Sequence, residues 1–588
     1  MAAETATNSD LFKSKVLGHP AGLFVLFFTE MWERFSFYGM RVLLIQFLTA
    51  KVLFDDPFSG WGWSAEQAGA LYGTYAMLLY LTPILGGVIA DKYIGSRWAV
   101  IVGAIVMTIG HAAMAFDAKF MFFIGLACLV IGTGFFKPNM PSILGEMYKY
   151  LPEKKDAAYT IFYMGVNSGA FFGMMLCGYL AERVGWHFGF GLAGIFMLLG
   201  TLQFWFSKPL FGNIGELKKV DETIEKTAAQ KEEDKETRNP FTTLDYILIV
   251  LVSVIGLLYA FNDPLSKNNV YDMFASLDTP FLRGQNIMAI IALVLFLFLV
   301  ISRIMRYGKI IRDRMFAVIL LAFFLMFFFM SFEQGATSLV LVARDYVDRS
   351  LEGTSLIVFN VINTCLTIIP LIIISGVLVM LAKATWKKIA LSNIILFICF
   401  GAIWAAAIWM LSNEFSKEAS QITVSWFSIL NSFFIIALAS SVSKLWDSKY
   451  NPPAAFKYGI GLLLVAIGFL ILGLGALGAG DGVKMSMMFL VLTYLFHTLG
   501  ELFISPVGLS YVSKLVPGKM LAFMFGMWYL ALAIAQKFAA ILGGQIEVIK
   551  NDYSLSHFFF LFTLIPAAAG ILVMLVNPLL KKLMHGVR

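Results

Sequence analysis

Apolar residues run along this chain in long blocks separated by short polar stretches, without a strict two-residue alternation. Blocks near 20 residues are what an α-helix needs to cross ~30 Å of hydrocarbon. They fall near 20–49, 64–90, 98–116, 119–142, 158–181, 187–207, 243–261, 286–306, 315–342, 355–382, 388–411, 424–446, 456–479, 484–511, 520–548 and 556–580. The pattern predicts an all-α polytopic membrane protein of about sixteen spans. A transmembrane β-barrel would instead alternate apolar and polar residues in segments of about 10. An even number of crossings leaves both ends on one side.

Composition agrees: of 588 residues, 59% are hydrophobic and 14% charged, with mean hydropathy +0.80. Soluble proteins carry roughly 25% charged residues, so a soluble enzyme is excluded. The 44 Lys and Arg decide orientation. With the amino terminus in the cytoplasm, about 30 fall in cytoplasmic segments and about 10 outside, the bias of the positive-inside rule. Arg303, Arg306, Lys309, Arg312 and Arg314, with Lys383, Lys387 and Lys388, supply most of it. The expectation is a multi-pass protein of the inner (plasma) membrane with both termini cytoplasmic.

The net charge of +7 needs no nucleic acid as partner. The first twenty residues lack the charge and apolar pattern of a signal peptide, so the first apolar block is expected to remain as a helix. Cys128, Cys177, Cys365 and Cys399 lie singly in apolar runs, and the histidines show no HExxH spacing. Neither a disulfide, a metal site nor a cofactor is expected. No GxxxxGK[ST] loop argues for an ATP-driven pump. Residues 208–242 read as a charged cytoplasmic linker, partly helical, with a regulatory docking site as the other reading.

Few charges interrupt the spans: Glu30, Glu33, Arg34, Arg41, Lys137, Glu333, Glu501 and Lys537. Each costs about 2.5–3.5 kcal/mol at a helix centre on insertion scales, and such residues mark ion or substrate paths. Glu30, Glu33, Arg34, Phe37, Tyr38 and Arg41 share one helical face. At 1.5 Å per residue, Arg41 lies about 31 Å above the start of its helix and Glu333 about 27 Å above its own. Lys137 and Glu501 lie about 25 and 26 Å below the outer starts of theirs. Two opposite-charge pairs at two depths, Arg41 with Glu333 and Lys137 with Glu501, are expected to gate a central site.

These residues also carry a family resemblance. The stretch Glu30-Met-Trp-Glu33-Arg34-Phe35-Ser36-Phe37-Tyr38-Gly39 resembles the ExxERFxYYG signature of proton-dependent oligopeptide transporters, within the major facilitator superfamily. Residues 162–169 (FYMGVNSG), 132–139 (GTGFFKPN), Phe332-Glu333-Gln334 and 500–508 (GELFISPVG) are similar to further segments of that family. Residues 87–92 and 95–97 resemble the superfamily's first cytoplasmic loop.

The resemblance implies two six-helix bundles around a central cavity and import of di- and tripeptides driven by protons, with the lipid bilayer as surroundings and no obligate protein partner. The expected division is an amino-terminal bundle at 1–207, a linker at 208–242, an accessory pair at 243–314 and a carboxyl-terminal bundle at 315–588. A further pair inserted at about 355–411 is expected to pack on the carboxyl half. By resemblance, Arg34 and Lys137 receive the peptide carboxylate and Glu501 the ammonium. Tyr38, Tyr80, Asn167 and Asn431 bind backbone, Trp528 walls a side-chain pocket, and Ser505 belongs to the substrate set. Glu30, Glu33 and Glu333 carry protons.

Departures from the family are Phe37 for a tyrosine, Phe329 for a frequent tryptophan and Gly73 where animal members have a histidine. His111 and His497 are then expected to be satisfied helix residues rather than relays, with coupling to Glu501, four residues on, as the other reading of His497; Lys537 is expected to snorkel. Transport of another small organic solute and a non-transporting receptor are the alternatives; no nucleophile–base constellation argues for an enzyme.

Overall fold

The computed structural model describes residues 13–53, 56–116, 118–217, 239–446, 448–479, 482–516 and 521–587. Most of the predicted charged linker, 218–238, lies outside them. The first half holds α1 (Ala21–Thr49), α2 (Ala65–Ile89), α3 (Ser96–Met114), α4 (Lys119–Met147), α5 (Lys155–Arg183) and α6 (Trp186–Phe206). The accessory pair is α7 (Thr243–Lys267) and α8 (Gly284–Ile304). Then come α9 (Lys309–Phe332), α10 (Ser338–Asp345), α11 (Gly353–Phe415), α12 (Val424–Trp446), α13 (Ala454–Gly475) and α14 (Met487–Leu515). The chain closes with α15 (Leu521–Gly544), α16 (Ile546–Asp552), α17 (Leu555–Leu575) and α18 (Asn577–Leu583).

Among the described residues, 14 helices are long and apolar enough to cross a membrane. The charged α1 adds another, and the 63-residue α11 crosses twice. Ile389 breaks it with φ −137° and ψ 46°. Trp404 Nε1 then donates to Ser375 Oγ at 3.0 Å, and Asn360 lies beside Glu414 O at 3.4 Å. The two arms are therefore antiparallel, and the predicted number of spans is met. The protein is an all-α polytopic membrane protein. The described ends of the chain share one face, called lower here: His19 meets Tyr148 after α4, and His585 meets Asp313 at the start of α9.

Helices α1–α6 pack together, as do α9, α12–α15 and α17. The halves meet along α2 with α15 and α5 with α12. Glu182 at the upper end of α5 accepts from the N–H groups of Val424 and Ser425, at 2.8 and 3.1 Å. It thereby satisfies first-turn donors of a helix in the other half, where a negative charge is favoured. Peripheral α7 and α8 are held at their lower ends by Asp245, which accepts from Arg303 at 3.0 Å and Arg306 at 2.7 Å.

The inserted pair departs from expectation. It packs on the amino-terminal half, with Ser392 Oγ donating to Gln203 O at 2.9 Å and the Phe400 ring 5.5 Å from Phe28 and 5.6 Å from Trp32. Position in the chain fixes where an insertion starts and ends, not which neighbour its apolar face fits. Ile389, Ser392, Leu396, Phe400, Ile403, Ala407, Met410 and Glu414 form that buried face, and α1 and α6 supply its counterpart. At the upper end the pair also touches α12, where Phe359 packs on Trp426.

Candidate functional site

α1 reaches the centre because α5 lets it come close. Gly165, Gly169 and Gly173, one helical turn apart, face the carbonyls of Phe27, Met31 and Phe35. A Cβ at Gly169 or Gly173 would stand 2.2 Å from the Met31 or Phe35 oxygen, so these backbones touch as only small residues permit. This contact sets the rotation of α1, which turns Arg34, Tyr38 and Arg41 toward the cavity and Trp32 and Phe35 toward Phe196.

The cavity has a volume of about 240 Å³ and lies between the halves. Its wall includes Arg34, Tyr38, Tyr80, Lys137 and Asn167 from the first half, with Glu333, Asn431 and Glu501 from the second. Arg34 Nε is shared by Glu30 at 2.8 Å and Glu33 at 3.1 Å. Those two carboxylates stand behind the arginine rather than on the wall. Glu33 is wholly buried, and neither of its carboxylate oxygens is hydrogen-bonded among the described residues. The Lys137 ammonium sits 4.1 Å over the Tyr80 ring, a cation–π contact, with no carboxylate within ion-pair reach among the described residues. Opposite, Glu501 accepts from Asn431 Nδ2 at 2.9 Å, and the same amide group lies 3.1 Å from Thr498 Oγ1. Asn167 donates to Tyr163 O one turn back at 3.0 Å.

The upper pair is made as expected: Arg41 donates to Glu333, and its Nε also donates to Tyr72 OH at 2.6 Å. The lower pair is not: Lys137 and Glu501 line the same cavity but hold Tyr80 and Asn431 instead. The halves are joined above and apart at the level of Lys137, and depth along separate helices cannot report that separation. Two other expected wall residues stand elsewhere. Trp528 fills the seam between α15 and α14, where a Cβ on Gly508 would meet its ring at 2.3 Å. Ser505 Oγ is buried away from the cavity without a hydrogen-bond partner among the described residues.

Two smaller expectations are corrected. Lys537 does not snorkel; its ammonium donates to Asp263 at 2.5 Å, Thr74 at 2.9 Å and Ala70 O at 3.1 Å. Both ring nitrogens of His111 are buried without a hydrogen-bond partner among the described residues, so His111 is not satisfied, whereas His497 lacks one only at Nε2. Gly73 has no room for a larger side chain, because a Cβ there would lie 2.7 Å from Ala540 Cβ.

Sequence reasoning missed Tyr72, Tyr163, Tyr494 and Gln536 on the cavity wall. For Tyr72 the signal was present: Tyr72, Ala76, Leu79 and Tyr80 recur at one-face spacing on α2. The others come from three helices whose facing only packing decides.

A family model described as the POT family matches residues 97–441 and 417–558. The chain belongs to the POT family. This POT-family chain is 30% identical over 594 residues to a peptide transporter of Yersinia enterocolitica, covering 99% of this chain and 98% of that one. It is 29% identical over 575 residues to a di-/tripeptide transporter of Lactococcus lactis subsp. cremoris, with 97% and 98% covered. A crystal structure of a peptide transporter POT in complex with sulfate superposes with a TM-score of 0.71 at 28% identity, covering 99% of both chains.

Proposed function

We propose that this protein imports di- and tripeptides together with protons, by alternating exposure of the central cavity to the two sides of the membrane. One observation carries the reading: cationic Arg34 and Lys137 line one side of a cavity whose other side carries Glu501. A short peptide has a carboxylate at one end and an ammonium at the other, and an arginine fork suits a carboxylate. The cavity volume of about 240 Å³ lies just below the ~300–1,000 Å³ usual for ligand sites, which favours short peptides over long ones. The amide of Asn167 and the hydroxyls of Tyr38 and Tyr80 would hydrogen-bond the peptide backbone.

The carboxylates supply the coupling. Protonating Glu333 would remove the charge that holds Arg41 and loosen the upper closure. A peptide carboxylate reaching Arg34 would compete with Glu30 and Glu33 for the guanidinium, and a carboxylate so released can take up a proton. Peptide and proton shift the balance only through unequal affinity for the two arrangements. In this reading the lower face is cytoplasmic, as the lysine and arginine bias favours, and the membrane is the inner (plasma) membrane.

The test is uptake of labelled dialanine into proteoliposomes under an inward proton gradient. Accumulation that collapses with a protonophore, is competed by tripeptides and is abolished by Glu33→Gln or Arg34→Ala is the expected result. Accumulation at the parent level in either variant overturns the assignment.

A further inference from the structure

A second cavity, of about 810 Å³, opens at the lower face of the carboxyl-terminal half, between the ends of α12, α13, α14 and α18. It shares no lining residue with the central one. Three cationic side chains line it, Lys457, Lys514 and Lys581, and no aspartate or glutamate does so among the described residues.

Lys457 is the telling one. The residue is 9% exposed, and its ammonium rests 4.4 Å over the Trp446 ring as a cation–π contact, with no hydrogen-bond partner among the described residues. An ammonium removed from water pays a large desolvation cost unless an anion or a full set of hydrogen bonds offsets it. Among the described residues no carboxylate lies within ion-pair reach of it. Two more lysines on the same wall add repulsion instead of relief. The cavity is thus electrostatically incomplete in a way that one bound anion would correct.

The rest of the wall narrows the class. Ala454 and Ala455 are the first residues of α13, so the positive end of a helix adds to the lysines. Asn451, Ser510 and Tyr511 offer hydrogen bonds, while Pro506, Val507, Leu580 and Met584 give the same cavity an apolar side. The tryptophan and tyrosine stand in the last turns of α12 and α14, helix ends of the kind where amphipathic rings collect at a membrane interface. Basic cavities between helices at this depth suit phospholipid head groups. We propose that this cavity binds a phosphate-bearing anion, the head group of an anionic phospholipid of the adjacent leaflet, with Lys457 as its buried ligand and Lys514 and Lys581 as outer ones. The site is independent of the transport reading.

The full chain purified in neutral detergent is titrated with phosphatidylglycerol, phosphatidylcholine or inorganic phosphate, and bound lipid is counted by native mass spectrometry. One retained phosphatidylglycerol is expected, bound about tenfold more weakly by Lys457→Gln and severalfold more weakly by the exposed Lys514→Gln. Lys457→Arg keeps the charge and should retain the lipid, and Lys383→Gln, on the inserted pair, should behave as the parent. Displacement of the lipid by inorganic phosphate at comparable concentration would assign the same chemistry to a soluble anion. Equal retention of phosphatidylcholine, or undiminished phosphatidylglycerol binding in both Lys457→Gln and Lys514→Gln, overturns the proposal.

Discussion

Arg41 shows what a residue-level reading can and cannot give. Its charge, its face on α1 and its height were all legible, and so was Glu333 as its partner. Tyr72, which accepts its second hydrogen bond, was not, because a tyrosine among apolar residues looks like packing. Glu333→Gln keeps a hydrogen-bonding group of the same size but mimics the protonated acid. Proton-driven peptide accumulation in that variant is expected to fall to background, while peptide exchange without a gradient persists in a counterflow assay. Lys137 differs, since its ammonium rests on Tyr80 and among the described residues holds no carboxylate to release. If it receives the peptide carboxylate, Lys137→Gln loses one charge-assisted hydrogen bond, about 1.5–3 kcal/mol. KM for dialanine should then rise by roughly 10- to 150-fold while the protein keeps its thermal stability. Trp528 and Ser505 stand off the cavity wall for one reason: a motif fixes a residue's turn of the helix, and packing fixes its direction.

Between elements, the contact of α1 with α5 is the most demanding. Gly165, Gly169 and Gly173 could be seen in the sequence, but glycines at four-residue spacing also occur where nothing approaches. The carbonyl of Met31, 2.2 Å from where a Cβ on Gly169 would be, supplies the requirement. Gly169→Val must push the helices apart, and overpacking of that kind costs about 1–3 kcal/mol or more. The expected outcome is a lower unfolding midpoint in detergent and weakened transport, with Gly191→Ala, which meets nothing within 4 Å, behaving as the parent. The inserted pair carries the same lesson in reverse. Its two spans were legible as hydropathy, whereas its docking on α1 and α6 depended on a complementary face remote in the chain. At its upper end Tyr179 OH donates to Glu414 at 2.8 Å and accepts from Asn413 at 2.7 Å. Tyr179→Phe removes both bonds and should cost about 1–3 kcal/mol, read as a drop in unfolding midpoint, with peptide KM unchanged.

The whole molecule is tied together by a charge the sequence left without a role. Lys537 on α15 pairs with Asp263 on the accessory helix α7, and the same ammonium reaches Thr74 and the Ala70 carbonyl on α2. One side chain thus joins both halves and the accessory pair, with Lys537 3% and Asp263 1% exposed. The partner lies 274 positions away, so no periodicity could have found it. Number of spans, even crossing and motif order were legible because each is local or additive; this tie is neither. A buried ion pair is weak evidence for stability as such, yet removing one partner strands the other at about 3–5 kcal/mol. Asp263→Asn and Lys537→Met are therefore each expected to lower the unfolding midpoint sharply. The double variant Asp263→Leu with Lys537→Met strands neither member of the pair, and Lys267, 3.8 Å from Asp263, keeps Glu66 at 3.0 Å, so it should recover most of the loss. A double-mutant cycle in detergent measures the difference, and additive losses would mean that the two groups do not act as a pair. Uptake by the double variant then separates two roles: transport near the parent rate makes the tie a scaffold, and folded protein with slowed uptake makes it part of the movement between the halves.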